Sequence, residues 1–315
     1  MKIHMSTLDL GNTPIVPPPS AEALAASSIR ETICMVGAKD AYQCSFEDLG
    51  AIPVPDATER ESTGNVSYQP LPYQEQATAV RSIFAEALNA EPLFETYALA
   101  AKGQEMFGKI VFPFDEHGGI SIALTNSYNQ QLALYGALGR SVFLCANKQI
   151  QGESMFKVKH TLNMEERYLA HLRTQAEGAA TTTEQLAERE RRWSQIPMAD
   201  DFFFAYAGIL LGREAITARQ HGAALRYWRA CVNAREGRAS PFWTGRNPQQ
   251  LHAEHGDRTL ASGFQAITGA LHRASPQRAF YHFGATDHIT EAVALSGGSI
   301  QDSDIPAFTL NVEEV

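Results

Sequence analysis

The chain has 315 residues, of which 44% are hydrophobic and 19% are charged. This composition excludes an intrinsically disordered chain, a collagen-like chain and a disulfide scaffold, and the four cysteines share no CxxC or other metal-ligand spacing. The formal net charge of −9 argues against nucleic-acid binding through bulk electrostatics, although it leaves room for a local basic groove.

The charge is distributed unevenly along the chain. The net charge is −8 over residues 1–100, +2 over residues 101–175 and −3 over residues 176–315. An anionic ligand would therefore dock most easily on the middle segment. The N-terminus has no apolar stretch typical of a signal peptide, and the longest apolar run, 202–212, is about half the roughly 20 residues of a spanning helix. We therefore expect a cytoplasmic protein with reduced thiols and no membrane segment.

Residues 1–65 are predicted to form a leader and a connector. A proline-rich entry precedes a helical pattern over 21–33, and the stretch 52–72 carries four prolines and little periodicity. The first strongly periodic helix is predicted over 74–88, where Ala77, Val80 and Phe84 share one face.

Between residues 95 and 161 the pattern changes to the two-residue period of strands. Strands are predicted over 109–114 and 120–124, joined as a hairpin, and over 156–160 as an edge or half-exposed strand. The segment 132–144 fits either a further strand or a buried helix.

Helical spacing dominates the C-terminal half. One helix is predicted over 165–175 and another over 184–196, with a break at Gly178 and the threonines that follow it. An apolar helix is expected over 200–211, the longest helix over 213–236, and further helices near 259–273 and 285–295. The order predicts an α+β fold, in which a small antiparallel sheet packs against helices and precedes a mainly helical C-terminal half. The predicted division is 1–65, an α+β core over 66–175, and a helical region with an acidic tail over 176–315.

Two motifs suggest chemistry but fail on context. Gly103 to Lys109 matches GxxxxGK, yet Ile110 replaces the Ser or Thr that a phosphate-binding loop needs, and a strand rather than a helix follows. His252, His255 and Asp257 are metal-binding residue types, but their spacing is not that of a zinc helix. We expect no catalytic residues, no metal and no cofactor, and an enzyme is less favoured than a binding protein.

One predicted helix carries a basic face. Arg219, Arg226 and Arg229 fall within an arc of about 80° at 100° per residue. This face is either solvated or a docking surface for phosphates or an acidic partner.

The C-terminal tail is acidic. From residue 299 it contains Asp302, Asp304, Glu313 and Glu314 but no Lys or Arg. A solvated terminus is favoured, and the alternation over 308–312 also permits strand addition to a partner.

Several stretches resemble one family. Asn126-Ser127-Tyr128-Asn129, followed by Arg140, Cys145 and Asn147, resembles the signature of the phage- and plasmid-borne family called domain of unknown function 932. The resemblance covers about residues 66–175 and departs at Phe143-Leu144, which precede the cysteine. It implies a mobile-element protein of a bacterial cytoplasm and carries over no catalytic residue. The signature is compatible with a structural role and with a binding role.

The function predicted first is non-enzymatic binding of single-stranded nucleic acid on the sheet, in recombination or replication. Phe107, Tyr128 and Phe156 are the candidate stacking aromatics. The candidate phosphate-binding residues are Lys102, Lys109, Arg140, Lys148, Lys157 and Lys159. The alternative is a protein-binding module that sequesters or inhibits a host or defence protein, with Arg219, Arg226 and Arg229 as its contact residues. A homo-oligomer is expected in either case.

Overall fold

A computed structural model describes residues 40–59, 66–114, 118–142, 148–235, 258–271, 276–297 and 313–314. The predicted leader helix over 21–33 lies outside these residues. The fold is α+β, as predicted, with an antiparallel sheet followed by helices in the C-terminal half. None of the described helices has the length and apolarity needed to cross a membrane.

The described strands are β1 (Tyr42–Cys44), β2 (Thr58–Glu59), β3 (Val66–Tyr68), β4 (Phe94–Ala100), β5 (Glu105–Pro113), β6 (Gly118–Ser127), β7 (Leu134–Val142), β8 (Lys148–Val158) and β9 (Glu313–Glu314). The described helices are α1 (Phe46–Ala51), α2 (Tyr73–Leu88), α3 (Met164–Ser194), α4 (Asp200–Gly212), α5 (Ala218–Arg235), α6 (Leu260–Ala270) and α7 (Pro276–Leu295). The predicted hairpin of β5 and β6 and the predicted helix α2 are confirmed. The undecided segment 132–144 contains strand β7, and the connector contains the small β2–β3 hairpin.

The main sheet has the strand order β1-β4-β5-β6-β7-β8-β9. Neighbouring strands are antiparallel from β1 to β8, and β9 pairs with β8 in parallel. Because β4 to β8 form a meander, the end of β4, the start of β5, the end of β6, the start of β7 and the end of β8 meet at one end of the sheet. We call this the turn end of the sheet.

The two faces of the sheet differ in character. One face is apolar and packs against α2 and the first half of α3, through residues such as Leu99, Ile110 and Leu124. The other face carries small and polar residues. In register across it lie Thr96, Lys109, Ala123 and Ala137. Some of the apolar residues on this face belong to a core cluster separate from that of the first face. This cluster includes residues from the end of α3 and from α4 to α7.

Helix α3 corrects one prediction. It is a single helix of 31 residues, where a break at Gly178 was predicted, and it crosses the predicted domain boundary at 175. Buried positions recur every three or four residues through the expected break, including Ala176, Ala179 and Thr183. This burial outweighs the low helix propensity of glycine and threonine.

The predicted longest helix also begins later than expected. Residues from Arg213 form a turn in which Glu214 has a left-handed φ of 57°. The Thr217 amide donates to Gln220 Oε1 at 2.8 Å and the Gln220 amide donates to Thr217 Oγ1 at 3.3 Å. This reciprocal cap starts α5 at Ala218, so α3 is the longest of the described helices.

Candidate nucleic-acid interface

The alternation predicted for β8 is confirmed. Phe156, Val158 and His160 are buried, whereas Lys157 is half-buried and Lys159 is exposed. The Lys157 ammonium lies 5.9 Å from the centroid of the Tyr135 ring, which is its register partner on β7. Both lysines lie at the turn end of the sheet, because they come at the end of β8 and directly after it.

Lys109 does not belong to an open groove. It lies in the middle of β5, where its side chain is only 2% exposed, and its ammonium lies 5.5 Å from the centroid of the Phe94 ring. Lys109 is therefore enclosed by the fold and displays no ammonium to a phosphate chain, which corrects its prediction as a phosphate ligand, because its strand lies between β4 and β6.

Arg140 is likewise buried, and it lies on the opposite, apolar face. Its register partner on β6 is Ile120, and its guanidinium donates to the carboxylate of Glu190 on α3. The Arg140 side chain is 5% exposed and the Glu190 side chain 20%. Arg140 therefore balances a carboxylate within the fold, which corrects its prediction as a phosphate ligand.

The aromatic residues predicted to stack on bases are core residues. Phe107 and Phe156 are almost fully buried. The Tyr128 ring stacks on Tyr73 with centroids 4.0 Å apart and an interplanar angle of 5°. The Tyr73 amide donates to the Tyr128 hydroxyl at 3.1 Å, so Tyr128 caps the first residue of α2. These rings are engaged with protein and are not displayed for bases.

The remaining predicted lysines lie at or near the strand ends. Lys102 is exposed in the turn between β4 and β5, at the turn end, and its amide donates to Asp40 Oδ2 at 3.3 Å. Lys148 is the first residue of β8, at the opposite end of the sheet, and only its backbone is described. The structure thus brings Lys102, Lys157 and Lys159 to one end and separates them from Lys109, Arg140 and Lys148.

The signature Asn126 to Asn129 organises the turn after β6. The Asn126 side chain donates to Leu71 O at 2.9 Å, and Ser127 Oγ bonds both to Leu132 O at 2.9 Å and to the Leu132 amide at 2.8 Å. Asn129 donates to Glu105 at 2.9 Å and accepts from the Gln131 amide at 3.0 Å. These bonds give the signature a structural role, one of the two roles that the sequence left open.

A buried polar cluster surrounds this turn, and the sequence analysis missed it. Gln76 donates from its amide to Thr125 O at 3.2 Å and to the Tyr168 hydroxyl at 2.9 Å. Among the described residues, Tyr73 OH, Gln76 Oε1 and Asn126 Oδ1 are buried without a hydrogen-bond partner. The only sequence signal was Gln76 beside Ala77 and Val80 on the apolar face of α2.

The phenols of this cluster are held in their neutral form. Burial raises the pKa of the Tyr68 hydroxyl to about 12, and the neighbouring Tyr128 adds to the rise. Burial also raises the pKa of Tyr73 and of Tyr128. The Tyr68 hydroxyl donates to Ser127 O at 3.1 Å, so it acts as a donor that fixes the turn.

A second network joins α3 to α7, and the sequence did not predict it. Arg189 lies 3.0 Å from Asp287 and 3.8 Å from Glu291. Arg192 pairs with the same Glu291 carboxylate, which also accepts from Trp193 Nε1 at 3.0 Å. Together with the Arg140–Glu190 pair, these contacts use basic residues to join elements of the fold.

The arginine face of α5, which we define as Arg219, Arg226 and Arg229, is exposed. Helix α5 contains no acidic residue, and within the described part of the chain Arg219 and Arg229 form no ion pair.

Trp228 points to α4, where it stacks on Phe203 with centroids 4.3 Å apart. Since Phe203 lies in the first turn of α4 and Trp228 lies far along α5, the two helices run antiparallel side by side. They therefore do not form the crossed pair of a helix-turn-helix.

Of the two motifs that failed on context, the structure describes the GxxxxGK match. Gly103 ends a short 3₁₀ segment and β5 follows at Glu105, so the GxxxxGK match leads into a strand, as predicted. His252, His255 and Asp257 lie outside the described residues. Within the described ranges no group of three or more His, Cys, Asp or Glu side chains is placed to hold a metal ion. Cys44 is a buried thiol, and burial raises its pKa to about 12.

No family model matches the chain, no characterised protein matches it in sequence, and no solved structure matches its fold. The resemblance to domain of unknown function 932 stays a prediction that depends on the quoted motifs alone.

Proposed function

We propose that the protein binds single-stranded nucleic acid, without sequence preference, at the turn end of its sheet. The observation that carries the proposal is the outward display of Lys157 and Lys159 by a strand whose alternate residues are fixed in the core. Lys102 is exposed at the same end. Ammonium groups of this kind contact phosphates without reading bases.

Charges of both signs lie at the turn end of the sheet, and this mixture determines the expected affinity for nucleic acid. Glu165 and Glu166 open α3 close to the end of β8, and both are exposed. Two or three phosphate contacts beside these carboxylates predict weak binding that salt abolishes, because each contact releases a condensed counterion and added salt opposes that release. A role in recombination or replication of a mobile element agrees with such binding and rests on the family resemblance.

The test is a fluorescence-anisotropy titration of labelled oligothymidylate at several salt concentrations. We expect binding below about 100 mM salt and its loss in the variant Lys157→Glu, Lys159→Glu. The matched control is Arg219→Glu, Arg229→Glu, which changes the net charge equally on another element and should leave oligothymidylate binding within about twofold. Absence of wild-type binding at low salt, in a chain whose tail is also neutralised as described below, would exclude the proposal.

A second candidate function rests on the arginine face of α5. Two exposed arginines without an ion-pair partner in the described residues, on a helix free of acidic residues, suit docking of an acidic protein surface. This supports a module that sequesters or inhibits a host or defence protein. Polyglutamate is the defined probe. Its binding should fall in Arg219→Glu, Arg229→Glu and persist in Lys157→Glu, Lys159→Glu, which is the reverse of the pattern for oligothymidylate.

A further inference from the structure

The C-terminal end of the chain returns to the strand that carries the proposed phosphate ligands. Strand β9 pairs with β8 in parallel, with Glu313 opposite Phe156 and Glu314 opposite Lys157. This is the one parallel pair among the described strands, and it covers the outer edge of β8 at its turn end.

The acidic sequence of the tail favours its pairing with a strand that carries lysines. From residue 299 to residue 315 the chain has four acidic residues and no Lys or Arg, and the paired strand consists of two glutamates. Paired backbones lie about 4.8 Å apart, so the register places Glu314 beside the basic position Lys157, whereas Glu313 is paired with Phe156. Opposite charges on paired strands stabilise the pairing.

A phosphate chain that binds Lys157 and Lys159 meets the same part of β8. Like charges repel, so a nucleic acid at this strand would have to tolerate or displace the glutamates of β9. We propose that the C-terminal strand is a built-in competitor, which occupies the edge of β8 and lowers the affinity of Lys157 and Lys159 for nucleic acid. This inference rests on the proposed function and adds its regulation.

A purely structural strand would give a different result. If β9 only closes the edge of the sheet, its removal exposes unpaired backbone groups and lowers stability, and the affinity for phosphates does not change. The substitution Glu313→Gln, Glu314→Gln separates the two roles, because it keeps the length and the backbone pairing and removes the charge.

The experiment compares the full-length wild type with Glu313→Gln, Glu314→Gln and with the matched control Asp302→Asn, Asp304→Asn. The control neutralises the same number of charges in the same tail, at two positions that lie outside the described residues. Binding of labelled oligothymidylate is measured by anisotropy at about 50 mM salt, where screening is weak. We expect binding about two- to fivefold tighter in Glu313→Gln, Glu314→Gln, because Glu314 is the register partner of Lys157. The control should change by less than about half as much.

The outcomes separate this inference from the proposed function. Equal affinity of wild type and Glu313→Gln, Glu314→Gln overturns the competitor and leaves the nucleic-acid site standing. Equal tightening in both variants also overturns it, since bulk charge then explains the effect. Binding that appears only after Glu313 and Glu314 are neutralised supports both. Absence of binding in every variant overturns the proposed function, and the competitor with it.

Discussion

Lys109 and Lys157 lie on the same face of one sheet, three strands apart, and meet opposite environments. Lys109, on central strand β5, is almost fully buried beside Phe94. Lys157, on β8 near the edge, is half-buried over Tyr135. Arg140 extends the comparison to the other face, where its charge is balanced by Glu190. A cation on a central strand is thus enclosed by the fold, whereas a cation near the edge can face a ligand.

The strongest test of this comparison is Arg140→Leu. It removes one partner of a mostly buried ion pair and leaves the Glu190 carboxylate, whose side chain is 20% exposed, without the Arg140 guanidinium. We expect a loss of about 2–4 kcal/mol in the free energy of unfolding, measured from urea titrations.

The double variant Arg140→Leu, Glu190→Leu is the control for that loss. It removes both charges and should lose clearly less than the sum of the single variants. A single-variant loss below about 0.5 kcal/mol would place Arg140 among the solvated cations and remove the contrast with Lys157.

The sequence predicted the local pattern well and the strand order poorly. Alternation over 156–160 gives the inward and outward residues of β8 directly, because a strand has a two-residue period whatever its neighbours. The hairpin of β5 with β6 was predicted, but no local signal predicted that β4 lies on the other side of β5, so the burial of Lys109 could not be predicted. The same limit hid the pair of Arg140 with Glu190, which are 50 residues apart.

In the C-terminal helical half, too, contacts between distant segments decided a feature that the local sequence did not predict. Propensity predicted a break at Gly178, but tertiary burial of Ala179 and Thr183 keeps α3 continuous and carries Glu190 to Arg140. For the candidate site, the lysines of β8 were predictable, whereas the polar cluster around Gln76 and Asn126 depends on contacts between distant segments.

A smaller loss is expected when the contact that fixes β8 is disturbed. Gly136 on β7 is paired with Phe156, and a Cβ at Gly136 would overlap the Phe156 ring. Gly136→Ala should cost about 1–3 kcal/mol in unfolding free energy, since the ring has to move within a packed core. Adding Phe156→Leu to Gly136→Ala should recover part of the loss. If Gly136→Ala costs nothing, Phe156 is not the anchor that turns Lys157 outward.

His160 ends the buried side of the same alternation and gives a pH-dependent test. Burial lowers its pKa below the usual 6.5, against the opposing effect of hydrogen bonds with the Gln69 and Leu132 backbones. The unfolded chain therefore takes up a proton at a higher pH than the folded chain. Its contribution to stability is complete above pH 6.5 and is lost as the pH falls from 6.5 through the lowered pKa.

The expected slope from this one group is at most about 1.4 kcal/mol per pH unit. It is measured as the difference between wild type and His160→Gln in urea titrations from neutral pH downward, which cancels the other histidines. Parallel pH profiles for the two proteins would mean that His160 is solvated, contrary to the buried face of β8.

A gain in stability is expected from Gly178→Ala. Gly178 lies within α3, and a Cβ there would meet no atom within 4 Å. Alanine in a helix interior is favoured over glycine by about 0.5–1 kcal/mol, so the urea midpoint should rise. If the chain instead breaks at this position, as the sequence predicted, alanine brings no such gain. The continuity that brings Glu190 to Arg140 would then be in question.

The smallest effect is expected at the arginine face of α5, which is the counterpart of Arg140. Arg219, Arg226 and Arg229 are exposed, so replacement of each by Gln removes a surface charge without opening a cavity. Each substitution should change the free energy of unfolding by less than about 0.5 kcal/mol. Thermal melts and urea titrations of the single and triple variants measure this. If the face docks an acidic partner, polyglutamate binding falls in the same variants while the melting temperature stays constant. A stability loss comparable to that of Arg140→Leu would show that these arginines belong with the enclosed cations, and the division between enclosed and displayed cations would fail.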